Sequence, residues 1–275
     1  MSTRFVVFTR GRTGSTLICD TLDKLSSVCC GQELFRPESI KLLDNVKSRV
    51  SSGEGADELL KHEWLVDDLA QGPVLCQEVM KLVEGNMGHA EYFNYLENSL
   101  PDSAAYGFKV LGNHLGANID EIEKGLESLS RISVKVLFLQ RRDVIREAFS
   151  LAIAGARQIY NVKKDEDKKR ERLNEKIRID PQVVMNECAY IEHFRAQMGE
   201  VFQRVGILYQ TVYMEDFLEN KKRFLLDQLE FLQISEGEDI LSRSNYEDED
   251  YVKVTPDSLS DLVVNYDEIM ELLER

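Results

Sequence analysis

The sequence predicts an α/β fold in which a mostly parallel β-sheet is covered by helices on both faces, giving three layers. Two observations lead to this prediction. Short apolar runs typical of buried strands alternate with longer segments of helical period along the whole chain. No repeat, low-complexity tract or Pro/Gly-rich linker divides the 275 residues, so we expect one domain over 1–275.

The first elements come directly from the pattern at the N-terminus. The apolar run Phe5-Val6-Val7-Phe8 is predicted as a strand and is followed by a glycine-containing loop. Apolar residues at positions 17, 18, 22 and 25 then predict a helix over 15–25. Residues 26–37 are predicted as a break and a loop that Pro37 ends or turns.

The rest of the chain continues the alternation. Strands are predicted at 74–76, 105–111, 134–139 and 207–214. Helices are predicted at 38–50, 56–70, 88–100, 118–130, 144–156, 180–205, 215–232 and 259–273. Two charged stretches are treated differently, because 236–250 is predicted as an acidic loop and 157–178 as an exposed helix or a mobile insertion.

Composition is typical of a soluble globular protein, with 43% hydrophobic and 30% charged residues. No apolar run reaches the length of a membrane helix, and we find no secretory signal at the N-terminus. The five cysteines form no CxxC pair or metal-like group, and the four histidines add none. We therefore expect reduced thiols and a cytoplasmic protein.

The net charge of −15 argues against nonspecific binding to nucleic acid or to anionic membranes. The charge is unevenly distributed, however. Residues 1–50 carry eight Lys/Arg and five Asp/Glu, whereas residues 236–275 carry three and thirteen. An anionic ligand would therefore find its favourable field near the N-terminus, and the acidic tail is explained by solubility.

The loop between the first strand and helix has the features of an anion site. Its residues are Arg10, Gly11, Arg12, Thr13, Gly14, Ser15 and Thr16. Helix N-termini bind anions through unpaired N–H groups, glycines allow close approach, and arginines and hydroxyls add donors. Ligands of parallel α/β sheets lie at the carboxyl ends of the strands. We therefore expect 140–143, the exit loop of the 134–139 strand, to share this site.

The loop does not fit the nucleotide-hydrolysing P-loop, GxxxxGK[ST], whose lysine reaches the terminal phosphates and whose hydroxyl holds magnesium. It is too short and has no lysine. It suits a terminal anionic group better than Mg-ATP.

At these residues the sequence resembles sulfotransferases that use PAPS (3′-phosphoadenosine 5′-phosphosulfate). The first signature is the P-loop-like strand, [RK]-x-G-[ST]-[ST] loop and helix, here Arg12 to Thr16. The second is an arginine after a strand and a serine eight positions later, here Arg142 and Ser150 in RDVIREAFS. The form RRDxxRxAxSL is most similar to the bacterial branch that includes trehalose sulfotransferases. Weaker similarities follow in the family's order along most of the chain.

The resemblance implies a role for each matching residue. The 10–16 loop would hold the 5′-phosphosulfate, with Arg12 bridging the leaving oxygen and the sulfuryl group, and Arg142 and Ser150 would hold the 3′-phosphate. Glu33 matches the glutamate that carbohydrate-directed members use as base, with His114 in reserve. Lys109 is assigned to the sulfuryl group or the acceptor. Further arginines are accessory candidates, Arg146 and Arg157.

The sequence thus predicts an enzyme that moves a sulfuryl group from PAPS to the hydroxyl of a carbohydrate, lipid or other small molecule, without a metal. Two alternatives stay open: a small-molecule or nucleotide kinase with an irregular P-loop, and a non-catalytic nucleotide-binding protein of the same fold. The family's C-terminal Arg-Lys-Gly element is absent, so the adenine-binding residues are not identified. The acceptor is open as well, with residues 36–100 expected to wall its pocket, and a homo-oligomer is possible.

Overall fold

The fold is taken from a computed structural model that describes residues 2–32, 89–99, 103–160, 162, 167–248, 255 and 258–274. Three predicted elements, at 38–50, 56–70 and 74–76, lie outside the described residues. One parallel sheet organises the residues that are described, which confirms the predicted α/β class. That a single domain spans 1–275 stays a prediction.

The sheet has five strands in the order β2-β3-β1-β4-β5, and every pairing is parallel. The strands are β1 (Thr3–Thr9), β2 (Val28–Gly31), β3 (Ala105–Leu111), β4 (Lys135–Gln140) and β5 (Tyr209–Tyr213). In the centre, β1 lies between β3 and β4, with Thr9 opposite Leu111 and Phe8 opposite Phe138. The carboxyl ends of these three strands therefore meet at one edge of the sheet.

Helices cover both faces of this sheet. The described helices are α1 (Ser15–Asp23), α2 (His89–Ser99), α3 (Gly112–Leu115), α4 (Ile119–Ser130), α5 (Val144–Arg157), α6 (Asp167–Glu171), α7 (Pro181–Val205), α8 (Met214–Glu219), α9 (Lys221–Phe231), α10 (Gly237–Ser242) and α11 (Tyr266–Leu273). None of them is long and apolar enough to cross a membrane. The expected cytoplasmic location stays a prediction.

Alternation along β1 explains the layered core. Val6 and Phe8 point to one face, where they pack with apolar side chains of α4 and α7. Phe5 and Val7 point to the other, against α1 and α9. Because successive strand side chains point to opposite faces, a continuous apolar run is expected only for a strand covered on both sides.

Several predicted helix starts are confirmed by their caps. The carboxylates of Asp143 and Asp180 accept N–H groups of the first turns of α5 and α7, and Asn118 does the same for α4. Pro181 occupies the first turn of α7, where a missing N–H costs nothing. Gly206, at φ +65°, ends α7 in the left-handed conformation that favours glycine.

Four details of the sequence prediction are wrong. Residues 28–31, predicted as part of the break after the first helix, form the short edge strand β2. The single helix predicted over 215–232 is two, because the side chain of Asn220 accepts the N–H of Arg223 and starts α9. The acidic stretch 236–250 contains α10, which buries Ile240 and Leu241.

The fourth correction concerns the C-terminal helix, predicted from position 259. It begins only at Tyr266. Asn265 makes two hydrogen bonds with the backbone of Ile179, donating to its carbonyl at 2.8 Å and accepting from its N–H at 3.1 Å. These bonds hold the preceding residues in turns against the start of α7.

Candidate functional site

The candidate site lies where β1, β3 and β4 end side by side. The exit loop of β1 is residues 10–14, and that of β4 is residues 141–143. Since β1 and β4 are neighbouring parallel strands, the two loops predicted to share a site are adjacent. The helices that follow them, α1 and α5, both begin at this edge.

The backbone of the β1 exit loop is held in left-handed conformations. Gly11, Arg12 and Gly14 have φ values of +127°, +56° and +93°. Gly14 is the N-cap of α1 and provides no side-chain acceptor. The first N–H groups of α1 therefore face the loop without a side-chain cap, which is the arrangement that binds anions.

The hydroxyl side chains of the loop have different surroundings. Thr13 is buried and bonds through its hydroxyl to that of Thr9 at 2.8 Å. Ser15 is buried at the start of α1. Thr16 accepts a hydrogen bond from Nζ of Lys109 at 2.9 Å, across from β3. The structure thus brings Lys109 to the first turn of α1, beside the loop where the sequence placed it.

Arg10 is anchored to helix α7. Its guanidinium forms an ion pair with Glu187 and lies 4.3 Å from the ring centroid of Tyr190. Its Nη1 is buried and has no hydrogen-bond partner among the described residues. One edge of Arg10 is therefore held by α7, whereas another keeps a buried donor unused.

Within this loop, Arg12 is the arginine whose pKa is lowered by its surroundings. Its Nη1 donates to the carbonyl of Tyr160, and its buried Nε has no partner among the described residues. Burial, and then the nearby charge of Arg141, lower the pKa of the Arg12 guanidinium to about 10. Two guanidiniums that repel each other in a partly buried site are stabilised by an anion between them.

Arg142 and Ser150 do not meet a common partner within the described residues. Nη1 and Nη2 of Arg142 donate to the two carboxylate oxygens of Asp216 at 2.7 and 2.8 Å, over the ring of Tyr213. Ser150 is buried on α5, with its hydroxyl 3.0 Å from that of Thr255. Their joint role at a 3′-phosphate stays a prediction, one that requires Arg142 to share or exchange Asp216.

The sequence placed Arg141 in the β4 exit loop that was expected to share the site, but gave it no role of its own. Its Nε is buried without a partner among the described residues, and burial lowers the pKa of its guanidinium. Its carbonyl accepts a hydrogen bond from Nη2 of Arg195 at 2.6 Å. The same nitrogen donates to Glu147 at 2.6 Å.

Glu147 is a second residue that the sequence did not identify. It is 1% exposed, and burial raises the pKa of its carboxyl although Arg195, Arg10 and Arg141 act in the opposite direction. One clue was present in the sequence, because Glu147 is the acidic residue among the mostly apolar buried residues of α5. Nothing in the sequence pattern predicted a role for Arg195, because its contact with the β4 exit depends on how α7 packs on α5.

Three other residues that the sequence proposed for the site are Glu33, His114 and Arg157. Glu33, the predicted base, lies outside the described residues, as does most of the expected acceptor wall at 36–100. Nδ1 of buried His114 accepts the N–H of Leu111 at 3.2 Å, next to the end of β3. Arg157 is buried and binds backbone carbonyls, among them that of Leu173 at 2.7 Å, which is a structural role.

Within the described part of the chain, no group of three or more His, Cys, Asp or Glu side chains is arranged to hold a metal ion. The polar atoms left without partners at this edge are instead donors, on Arg10, Arg12 and Arg141. The site as described therefore has the chemistry of an anion receptor.

Comparisons with known proteins add little to this geometry. No family profile matches the chain, and no curated protein matches it. Among solved structures, the chain is similar to the sulfotransferase domain of the olefin synthase of Synechococcus PCC 7002. The identity is 15% and the TM-score 0.48, over 100% of this chain and 96% of that chain. At these values the similarity carries no argument about activity, and the fold class rests on the sheet itself.

Proposed function

We propose that the protein is a sulfotransferase that moves a sulfuryl group from PAPS to a hydroxyl of a carbohydrate, lipid or other small molecule. One observation carries this proposal. Buried N–H groups of Arg10, Arg12 and Arg141 that have no partner among the described residues lie at two adjoining strand exits, beside a helix N-terminus without a side-chain cap. Buried donors are nearly always bonded in folded proteins, so these indicate an anionic ligand.

The two exit loops are adjacent, so each would hold one anionic end of the same ligand. The loop at 10–16 would take the 5′-phosphosulfate, and the exit of β4, through Arg142 and Ser150, the 3′-phosphate. The arrangement is less suited to Mg-ATP, because the loop has no lysine to reach the terminal phosphates.

The reaction is an in-line displacement at sulfur. A bond forms between the acceptor oxygen and sulfur, the bond from sulfur to the 5′-phosphate oxygen breaks, and the acceptor proton passes to a base, assigned to Glu33. Arg12 stabilises the charge that grows on the leaving phosphate oxygen. Lys109, whose Nζ donates to the hydroxyl of Thr16, would orient the sulfuryl group or the acceptor.

Thermal unfolding with three ligands tests the proposal against its alternatives. A ligand at 100 times its Kd stabilises the folded state by about 2.7 kcal/mol. We expect PAPS and its desulfated product 3′,5′-ADP to raise Tm, and ATP with Mg²⁺ to have a much smaller effect. Stabilisation by ATP with Mg²⁺ alone would indicate a kinase. Binding of PAPS without turnover on any hydroxyl acceptor would indicate a non-catalytic protein.

The base is tested by Glu33→Gln. This variant should bind 3′,5′-ADP like the wild type but lose at least about a hundredfold in kcat, the size of a general-base contribution. Full activity in the variant would remove Glu33 from the mechanism and turn attention to His114.

A further inference from the structure

The two adjacent arginines at the exit of β4 have opposite environments. Arg142 turns outward, with its side chain 51% exposed and both terminal nitrogens bonded to Asp216. Its backbone N–H also donates to Glu215 at 3.0 Å. Arg142 is thus tied to the start of α8, on the β5 side of the site.

Arg141 is the less exposed of the two, and the β4 exit that carries it adjoins the exit loop of β1. Its charge is close enough to that of Arg12 to lower the pKa of the Arg12 guanidinium. Both side chains keep a buried Nε without a partner among the described residues. Burying two positive charges whose N–H donors are unbonded costs free energy, unless a group of opposite charge pairs with both of them.

The backbone of Arg141 is held in place by a side chain of α7. Nη2 of Arg195 on α7 donates to the carbonyl of Arg141 and to the buried carboxylate of Glu147 on α5, each at 2.6 Å. Glu147 also faces Arg10 and Arg141 as a favourable charge. This buried pair connects α5, α7 and the β4 exit, and it fixes where the backbone of Arg141 lies.

We propose that Arg141 is an anion-binding residue that acts with Arg12 on the 5′-phosphosulfate, and that the Glu147–Arg195 pair is its positioning element. The inference rests on the proposed function and adds a residue that neither signature includes. The two arginines then bind different groups of the nucleotide: Arg141 binds at its 5′ end and Arg142 at its 3′ end.

Three nucleotides separate these tasks: 3′,5′-ADP, 5′-AMP and 3′-AMP, measured by calorimetry. Arg141→Ala should weaken 3′,5′-ADP and 5′-AMP by about tenfold to a hundredfold, the range of a charge-assisted hydrogen bond, and leave 3′-AMP unchanged. Arg142→Ala should do the reverse, weakening 3′,5′-ADP and 3′-AMP but not 5′-AMP. Arg204→Ala is the matched control, because Arg204 pairs with Glu123 near the carboxyl end of α7, at the opposite edge of the sheet.

Arg141→Lys distinguishes a loss of binding from a folding defect, since it keeps the positive charge and loses the guanidinium geometry. It should bind 5′-AMP with an affinity between those of the wild type and Arg141→Ala. Glu147→Gln should change the affinity for 5′-AMP more than that for 3′-AMP, which a purely structural role would not do. Equal losses for all three nucleotides in Arg141→Ala, or no loss for 5′-AMP, would overturn the inference alone. A wild-type protein that binds none of them would overturn the proposed function, and the inference with it.

Discussion

Replacing Gly14 by alanine tests how the exit loop of β1 is packed, because the structure gives two separate reasons for glycine at this position. Its φ of +93° is one that side chains rarely adopt, and an added Cβ would lie 2.5 Å from Sδ and 3.2 Å from Cγ of Met214. The left-handed conformation costs alanine about 1–2 kcal/mol. Overpacking against the buried Met214 adds about 1–3 kcal/mol, toward the lower end because methionine is flexible.

We therefore expect Gly14→Ala to lower the free energy of unfolding by about 2–4 kcal/mol. Guanidinium unfolding of a double-mutant cycle with Met214→Ala separates the two terms. In the Met214→Ala background the contact is gone, so Gly14→Ala should cost only the conformational part, about 1–2 kcal/mol.

Gly155→Ala is the matched control, since Gly155 lies in helix α5 with nothing within 4 Å of its added Cβ. It should gain up to about 1 kcal/mol from helix propensity. A cost for Gly14→Ala that is equal in both backgrounds would refute the contact with Met214, and a cost below about 0.5 kcal/mol would refute the whole account of the loop.

Three further predictions follow from the core and from the charges. Gly107→Ala would place a Cβ 2.2–2.4 Å from the fully buried ring of Phe5, so it should destabilise by at least about 3 kcal/mol in guanidinium, and Phe5→Leu should restore part of the loss. Because the pKa of Arg12 is lowered to about 10, the affinity for 3′,5′-ADP should fall above that pH, by up to about tenfold per unit, and Arg12→Ala should abolish this dependence. Burial raises the pKa of Glu147 above 4.5, so the folded state holds this proton to higher pH than the unfolded chain. The stability of the wild type relative to Glu147→Gln should therefore fall as pH rises from about 4.5 through the folded pKa in urea unfolding, and a difference that rises with pH would contradict the assignment.

The sequence was a good guide wherever local pattern decides structure. The apolar runs of β1 and β4 predicted two buried strands correctly, because only strands covered on both faces are apolar throughout. Asp143 and Asp180 mark helix starts, since a cap needs only the side chain and the next turn. Edge and boundary features were missed. The strand β2 is four residues long and depends on β3 beside it. The helix break at Asn220 depends on its side chain accepting the N–H of Arg223, which the sequence pattern does not show.

The sequence by itself predicted an anion-binding role for residues 10–16 and determined their place at the end of the first strand, because spacing, glycines and arginines are all local to this segment. Only the tertiary structure decided which of the two arginines after β4 is the less exposed. That choice depends on Asp216 at the start of α8 and on Arg195 of α7, which are remote in sequence and are brought to the β4 exit by packing on the sheet. A motif specifies which side chains are available, whereas the charges and donors that surround each of them are set by the folded chain.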